Sequence, residues 1–583
     1  MRTFFKIFFA SLLALVVFTV VGFFVTSAVL STLMTKEKEA VGGKAVLVVD
    51  LSESFPEVAQ GNPLEKLRDG TGGSPSVYDV VRLIDHARND SAVKGIYIKA
   101  GGNANGFGTS EDIRNALLNF KSSGKFIYAY AEVIPQRAYH VANVADRLYC
   151  NPQGGVEWHG FSSQMAYLKG TLEKLEIKPQ IFYAGKFKSA TEPFREYHMT
   201  EANRIQTTQL LHDMYSHFLK GIADQRKLDT AQLHRYADQD LVQFASDAEK
   251  FKLVDGLRFD DQVKDEIKAK LKMGKFDKIN FVTLQRYQEG VYFKQRGTNK
   301  IAVIYAQGNI VGGNGDNENI GSDNYIGLIR KARLDNTIKA IVLRINSGGG
   351  SSLASSSILR EMELAKKDKP VVVSFGDVAA SGAYYLACKA DSIFAQPNTI
   401  TGSIGVFTLI PDMEKFFNNK LGMTFDEVST SPNAGVLTVV RPLTEMQKRM
   451  IQVSVDSTYK DFVSAVASGR KKDTGYIYSI AQGRIWSGTQ GVKLGLVDRI
   501  GGVQDAVNCA ARMARLNEYR LREYPEPESW YEMIFGGYKK EMKDQAIREE
   551  IGSEGFKTYQ LLNSLKGMMG QEQARMLYTI DIN

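Results

Sequence analysis

The 583-residue chain is poor in the side chains on which much enzyme chemistry leans. It has three cysteines, Cys150, Cys388 and Cys509, an odd number set far apart. That excludes a disulfide framework and a CxxC metal pair. It has seven histidines (His86, His140, His159, His198, His212, His217 and His234), all within the first 234 residues. The remaining 583 − 234 = 349 residues contain none, so that part cannot assemble a Ser-His-Asp triad alone. Excess charge of one sign is also scarce: 73 Lys and Arg against 65 Asp and Glu leave +8. Spread this thinly, with no Lys/Arg-rich block and no aromatic-basic groove, it gives nucleic acid no footing. Proline occupies only 14 positions, and 44% hydrophobic with 24% charged residues excludes collagen, coiled coil and wholesale disorder. What remains is a globular chain long enough for two to four domains.

The long hydrophobic run is N-terminal. Ile7 to Met34 is a stretch of 28 residues without a charge, rich in Phe, Leu and Val. About 20 apolar residues span a bilayer as a helix, so this run spans one with tilt to spare. Arg2 and Lys6 precede it, while Lys36, Glu37, Lys38 and Glu39 follow and cancel. The uncompensated positive charge predicts a cytoplasmic N-terminus and places everything after residue 40 outside the cytoplasm. Thr26-Ser27-Ala28 would suit a signal peptidase. A signal-peptide core is only about 7 to 15 residues, however, so residues 1–40 read as an uncleaved anchor meeting lipid through residues 7–34.

Shifted by 245 residues, the chain meets itself. Leu83 to Lys99 (LIDHARNDSAVKGIYIK) aligns with Leu328 to Arg344 (LIRKARLDNTIKAIVLR), with seven of 17 pairs identical. At the same offset Ala138 to Pro152 aligns with Ala383 to Pro397, with six of 15 identical. One offset held across two segments indicates a duplication, with a first copy over 44–297 and a second over 298–515. Each copy predicts α/β structure. In the second, Lys300 to Ala306, Lys339 to Ile345 and Pro370 to Phe375 read as buried strands. Asn324 to Leu334, Ser355 to Lys366 and Ser381 to Ala390 read as helices, giving parallel βαβ units. Residues 516–583 begin with a linker, YPEPES, and continue charged and weakly helical. They predict a surface arm or oligomer contact.

Two glycine-bearing turns follow strands in the second copy. NSGGGSS (Asn346 to Ser352) lets backbone N–H groups approach a ligand, though a tight turn with helix-start serines looks the same. It is neither GxxxxGK[ST] nor GxGxxG, so no nucleotide cofactor is implied. In GDVAASGAYYLA (Gly376 to Ala387), Ser381 follows a strand and opens a helix, where free N–H groups suit an oxyanion. An N-cap serine has the same signature. The duplication separates the two copies: Gln136 stands at the position of Ser381, and AGGNA (Ala100 to Ala104) at that of NSGGG. Glutamine cannot act as nucleophile, so the first copy has no active serine of its own.

A serine nucleophile needs a base, either a histidine borrowed from the first copy or a neutral lysine. The first copy contains YAGKFKSATEPF (Tyr183 to Phe194), in which Lys188 follows a strand-like run. The same offset places Asn433 opposite it in the second copy. One copy keeps the serine and the other the lysine. Lys186, two residues earlier, reads as a solvated surface lysine.

At these residues the chain resembles a known family. GDVAASGAYYLA, NSGGG, TGSIGVF (Thr401 to Phe407) and GKFKSATEPF together are similar to the motifs of the long, duplicated signal peptide peptidase A, the membrane-anchored bacterial protease IV. The resemblance runs from the anchor to about residue 515. It implies two tandem Clp protease/crotonase-like α/β domains after one transmembrane helix. It implies a Ser-Lys dyad of Ser381 and Lys188, with Ser403 orienting the lysine and the N–H groups of Gly382 and Gly349 holding the oxyanion. It further implies peptide substrates, above all cleaved hydrophobic signal peptides, no metal or other cofactor, and a ring-like homo-oligomer, a tetramer. The expected place is the bacterial inner membrane, with the catalytic part on the periplasmic side. One departure is Gly348, where the family carries proline in N-S-P-G-G. Two other readings share some features: a crotonase-like enzyme acting on an acyl thioester, and an inactive membrane scaffold.

Overall fold

Short β-branched and aliphatic runs form the strands, and burial on both faces fits parallel sheets covered by helices. The computed structural model describes residues 2–34, 41–59, 74–291, 297–316, 318–431, 433–435, 438–526, 546–550, 552 and 572–576. The first repeat supplies β1 (Ala45–Asp50), β2 (Val93–Lys99), β3 (Phe126–Ile134), β4 (Arg147–Val156), β5 (Lys178–Ala184), β6 (Gly256–Leu257) and β7 (Phe281–Thr283). All but β5 form one parallel sheet in the order β6-β4-β3-β2-β1-β7.

The second repeat supplies β8 (Lys300–Gln307), β9 (Asn309–Val311), β10 (Asn319–Gly321), β11 (Ile338–Ser347), β12 (Gly349–Ser351), β13 (Val371–Ala380), β14 (Ser392–Ala395), β15 (Ile400–Gly402), β16 (Val406–Asp412), β17 (Ile485–Ser487), β18 (Arg499–Ile500) and β19 (Arg520–Tyr524). Its main sheet runs β17-β15-β13-β11-β8-β19. β19 pairs with β8, so this sheet takes in residues beyond the boundary expected at 515.

The duplication is visible as equivalent elements. Helices Val77–Asn89 and Phe107–Lys121 recur at the same offset as Ser322–Leu334 and Ser352–Asp368. Two 26-residue helices, Glu201–Arg226 and Glu445–Arg470, correspond as well. The first of the four starts at a capping box of Ser76 and Asp79. The helix expected over Ser381 to Ala390 is shorter, Gly382–Ala387, because Ser381 has a φ of 57° and cannot join it.

Two devices lock the repeats together. β5 of the first repeat pairs antiparallel with β16 of the second, from Ala184 opposite Val406 to Lys178 opposite Asp412. Arg344 on β11 is wholly buried and donates to Glu57 Oε2 and to Asp112 Oδ2, each at 2.9 Å, across the repeat boundary. Breaking one partner of such a buried pair typically costs about 3–5 kcal/mol, so relative sliding of the repeats is strongly opposed.

The N-terminal helix, Arg2–Met34, contains a 21-residue apolar stretch, Arg2–Gly22, with none of it buried. At about 1.5 Å per residue that stretch is about 32 Å long, which matches a bilayer core. The segment 572–576 departs from the expected surface arm or oligomer contact. Its strand β20 (Gln573–Arg575) lies between β12 and β16, completing a second sheet in the order β10-β9-β12-β20-β16-β5.

Candidate active site

β13 ends at Ala380, and the chain turns through Ser381 with φ 57° and ψ −118° into the helix Gly382–Ala387. Such a backbone costs a non-glycine residue about 1–3 kcal/mol and survives only where neighbours over-determine it. Here Ser381 N donates to Gly402 O at 2.8 Å, and Tyr385 N donates to Ser381 O at 2.8 Å. The N-cap alternative fails because the Ser381 side chain makes no capping bond. Its Oγ lies 2.7 Å from Lys188 Nζ and a long 3.5 Å from Gly405 O.

Lys188 arrives from the first repeat, four residues beyond the end of β5. The β5–β16 pairing carries that turn across the boundary, and residues 482–483 of the second repeat wedge it in place. Phe187 N donates to Gln482 O at 2.8 Å, and Gly483 N donates to Ile404 O at 2.8 Å. The wedge is tight: a Cβ on Gly185, at φ 104°, would lie 2.5 Å from the Gln482 carbonyl carbon. A Cβ on Gly483, at φ 76°, would lie 2.7 Å from Lys188 Cα. These two glycines escaped the sequence analysis; the signal available was a G-K pair after a strand and a lone Q-G turn.

Ser403 completes the cluster from the other side, held at φ 49° by its N–H donating to Arg484 O at 2.7 Å. Lys188 Nζ is 3.0 Å from Ser403 Oγ and 3.1 Å from Ser403 O. Lys188 Nζ donates to the two Ser403 oxygens and to Ser381 Oγ, whose own hydroxyl reaches Gly405 O. Lys188 is 1% exposed and Ser381 0%. Burial alone lowers the Lys188 pKa to about 7, since desolvation disfavours the charged form.

Ser403 contributes one neutral hydrogen bond, worth about 0.5–1.5 kcal/mol. Ser403→Ala should therefore lower kcat/KM about two- to tenfold on a reporter peptide, the carbonyl of residue 403 keeping the amine aligned. An unchanged rate, or complete loss, would refute that orienting role.

In the first repeat, Gln136 stands at the position of Ser381. Gln136 Oε1 accepts from His159 N and Gly160 N, each at 3.0 Å, and its Nε2 donates to Gly160 O at 2.9 Å. That amide fills the space and ties down the turn equivalent to Ile404-Gly405. No histidine is hydrogen-bonded to Ser381 among the described residues; His140 and His217, for example, both face Glu111. Lys186 is exposed, lying over the Phe187 ring.

The glycine turn sits against the opposite side of Ser381. Gly349 adopts φ 99°, and a Cβ there would lie 2.7 Å from Gly382 N. The Gly349 N–H donates to Ser347 Oγ at 3.1 Å and so faces away from the groove. Opposite the inserted strand, Gly349, Gly350 and Ser351 pair with Arg575, Ala574 and Gln573.

The model of peptidase family S49 matches this chain twice, over residues 119–274 and 363–517, once on each repeat. The chain belongs to peptidase family S49. It is a serine protease with a duplicated α/β fold, so the thioester reading gives way. Protease 4 of Salmonella typhi is 34% identical over 79% of this chain and 75% of its own. Protease 4 of Haemophilus influenzae is 34% identical over 75% of this chain and 73% of its own. The chloroplastic serine protease SPPA of Arabidopsis thaliana is 32% identical over 74% of this chain and 64% of its own.

Proposed function

We propose that this S49 protease is a membrane-anchored endopeptidase in which Ser381 is the nucleophile and Lys188 the general base. The observation that carries this reading is the 2.7 Å contact between two buried side chains from different repeats, with the amine's other bonds supplied by Ser403. Neutral Lys188 takes the Ser381 proton as Oγ attacks the substrate carbonyl. The oxyanion is held by the N–H groups of Gly382 and, in place of Gly349, Gly350. Lys188 then gives its proton to the leaving amine, and water releases the acyl group.

The groove between β12 and β16 suits an extended peptide added as a strand, read through its backbone. Beside a membrane anchor, such a groove suits hydrophobic peptides, cleaved signal peptides above all. The charge bias at the anchor puts the groove on the periplasmic face of a bacterial inner membrane. A ring-like homo-oligomer, a tetramer, follows from the family resemblance.

A fluorophosphonate probe tests the nucleophile. It should form one adduct, mapped by mass spectrometry to Ser381, on protein that hydrolyses a reporter peptide. An adduct on a different serine would overturn the assignment. For orientation, protease added to spheroplasts should digest the chain beyond residue 40; full protection there would mean the opposite topology.

A further inference from the structure

In YAGKFKSATEPF the residues after Lys188 are buried along with it, Ser189 and Glu192 among them. One side chain of the helix Glu201–Arg226, the buried Gln206, grips this turn. Gln206 Nε2 donates to Phe187 O at 3.1 Å, to Ser189 Oγ at 2.8 Å and to Asn203 Oδ1 at 3.2 Å. The amide thus holds the residue before Lys188 and the residue after it. Its Oε1 reaches the other repeat and accepts from Ile485 N at 3.2 Å. Ile485 opens β17 and lies opposite Gly402 of β15. Gly402 O accepts from Ser381 N, and Arg484 O, one residue before Ile485, accepts from Ser403 N. A single amide therefore fixes the turn that carries the amine against the strand edge that holds the backbones of both serines. Only this orientation of the amide serves both sides, since Phe187 O needs a donor and Ile485 N an acceptor.

Gln206 is held in its turn. Asn203 Nδ2 donates to Glu192 Oε2 at 2.8 Å, and Thr200 Oγ1 donates to Glu192 Oε1 at 2.5 Å. Thr200 also caps the helix, its side chain accepting from Asn203 N. The Glu192 carboxylate so pins the first turn of the helix on which Gln206 sits. The second copy lacks this arrangement. Its helix Glu445–Arg470 starts at an equivalent cap, Thr444, which sets the two helices 444 − 200 = 244 residues apart. Met450 then stands at the position of Gln206, and it is 45% exposed. The copy with Asn433 in place of the lysine has no glutamine to hold one.

We infer that Gln206 is a positioning residue, which holds Lys188 Nζ in line with Ser381 Oγ across the repeat boundary and keeps the amine out of water. This rests on the Ser381–Lys188 reading above. Gln206 acts on the lysine through its turn, because its bonds run to residues 187 and 189 and not to the amine. Burial sets the proton affinity of Lys188, and Glu192, Arg195 and Arg484, the charged groups of the segments around it, do not offset that. Loosening the turn admits water, and the amine then keeps its proton to higher pH.

The test is kcat and KM on a reporter peptide from about pH 6 to about pH 10. Gln206→Met, the residue of the second copy, should lower kcat about ten- to hundredfold near neutral pH, with KM within about twofold of wild type. The rising limb of kcat/KM, at about 7 in the wild type, should move up by about one pH unit, so part of the loss returns at high pH. Ile222→Ala opens a cavity in the core under the same helix and supplies the baseline: it should lower Tm and leave the limb in place. A limb that also moves in Ile222→Ala, or one that stays put in Gln206→Met, overturns the inference and leaves the dyad standing. Should Gln206→Met fail to fold, Ser189→Ala, which removes one acceptor of the amide, decides. Its limb should shift the same way by a smaller amount, and an unmoved limb overturns the inference. A wild type with no limb near 7, or an active Lys188→Arg, would instead bring down the dyad itself.

Discussion

Replacing Ser381 by alanine should abolish peptide hydrolysis and leave the fold standing. The loss should reach about 10⁴-fold or more in kcat, because no other group is placed to attack the carbonyl and only binding and oxyanion stabilisation remain. The fold should survive because Ser381 Oγ has few partners, Lys188 Nζ at 2.7 Å and Gly405 O at 3.5 Å. The backbone bonds of residue 381 to Gly402 and Tyr385 do not involve the side chain. One lost hydrogen bond is worth about 1 kcal/mol, a shift of about 2–4 °C in Tm for a domain of this size. Reporter kinetics together with a thermal melt by circular dichroism decide the matter. Undiminished kcat, or a variant that does not fold, would remove the basis for calling Ser381 the nucleophile.

The duplication, and the contrast of Ser381 with Gln136 and of Lys188 with Asn433 between its copies, were legible in the sequence because each leaves a local trace. Buried parallel strands are short apolar runs, and the 245-residue offset turned Ser381 against Gln136 into a contrast within one chain. The approach of Lys188 to Ser381 was legible only through the family resemblance. Its physical cause, the β5–β16 pairing, joins segments more than 200 residues apart that carry no mark of each other. Which glycine amide turns toward β20 was hidden because φ at Gly349 decides it, and three consecutive glycines read alike. The insertion of residues 572–576 was hidden for a related reason. EQARM is too short, with only two apolar side chains, to read as a strand, and its hold on β12 comes largely from backbone N–H and C=O groups that every residue carries.

Lys188→Arg should be as inactive as Lys188→Ala, each about 10²- to 10⁴-fold below wild type, the usual worth of a general base. A guanidinium keeps its proton at any pH the enzyme meets, so it cannot accept one from Ser381. Lys186→Ala should keep most activity, since that side chain is exposed and lies over the Phe187 ring. Conversion of any of the seven histidines to alanine should leave the nucleophile activated, because none is bonded to it. The pH profile carries the sign. With a pKa near 7, Lys188 is protonated below that value and has no lone pair for the serine proton. kcat/KM should therefore rise about tenfold per pH unit up to about 7 and level off above it. Stability should move the same way. An unfolded lysine, at 10.5, holds its proton across a range in which the buried one has lost it. The unfolded state thus binds more protons between about 7 and 10.5, and the native state gains stability as pH rises through that window. Lys188→Met should lack that gain when urea midpoints are compared at the two ends of the window. An active Lys188→Arg enzyme would end the dyad reading.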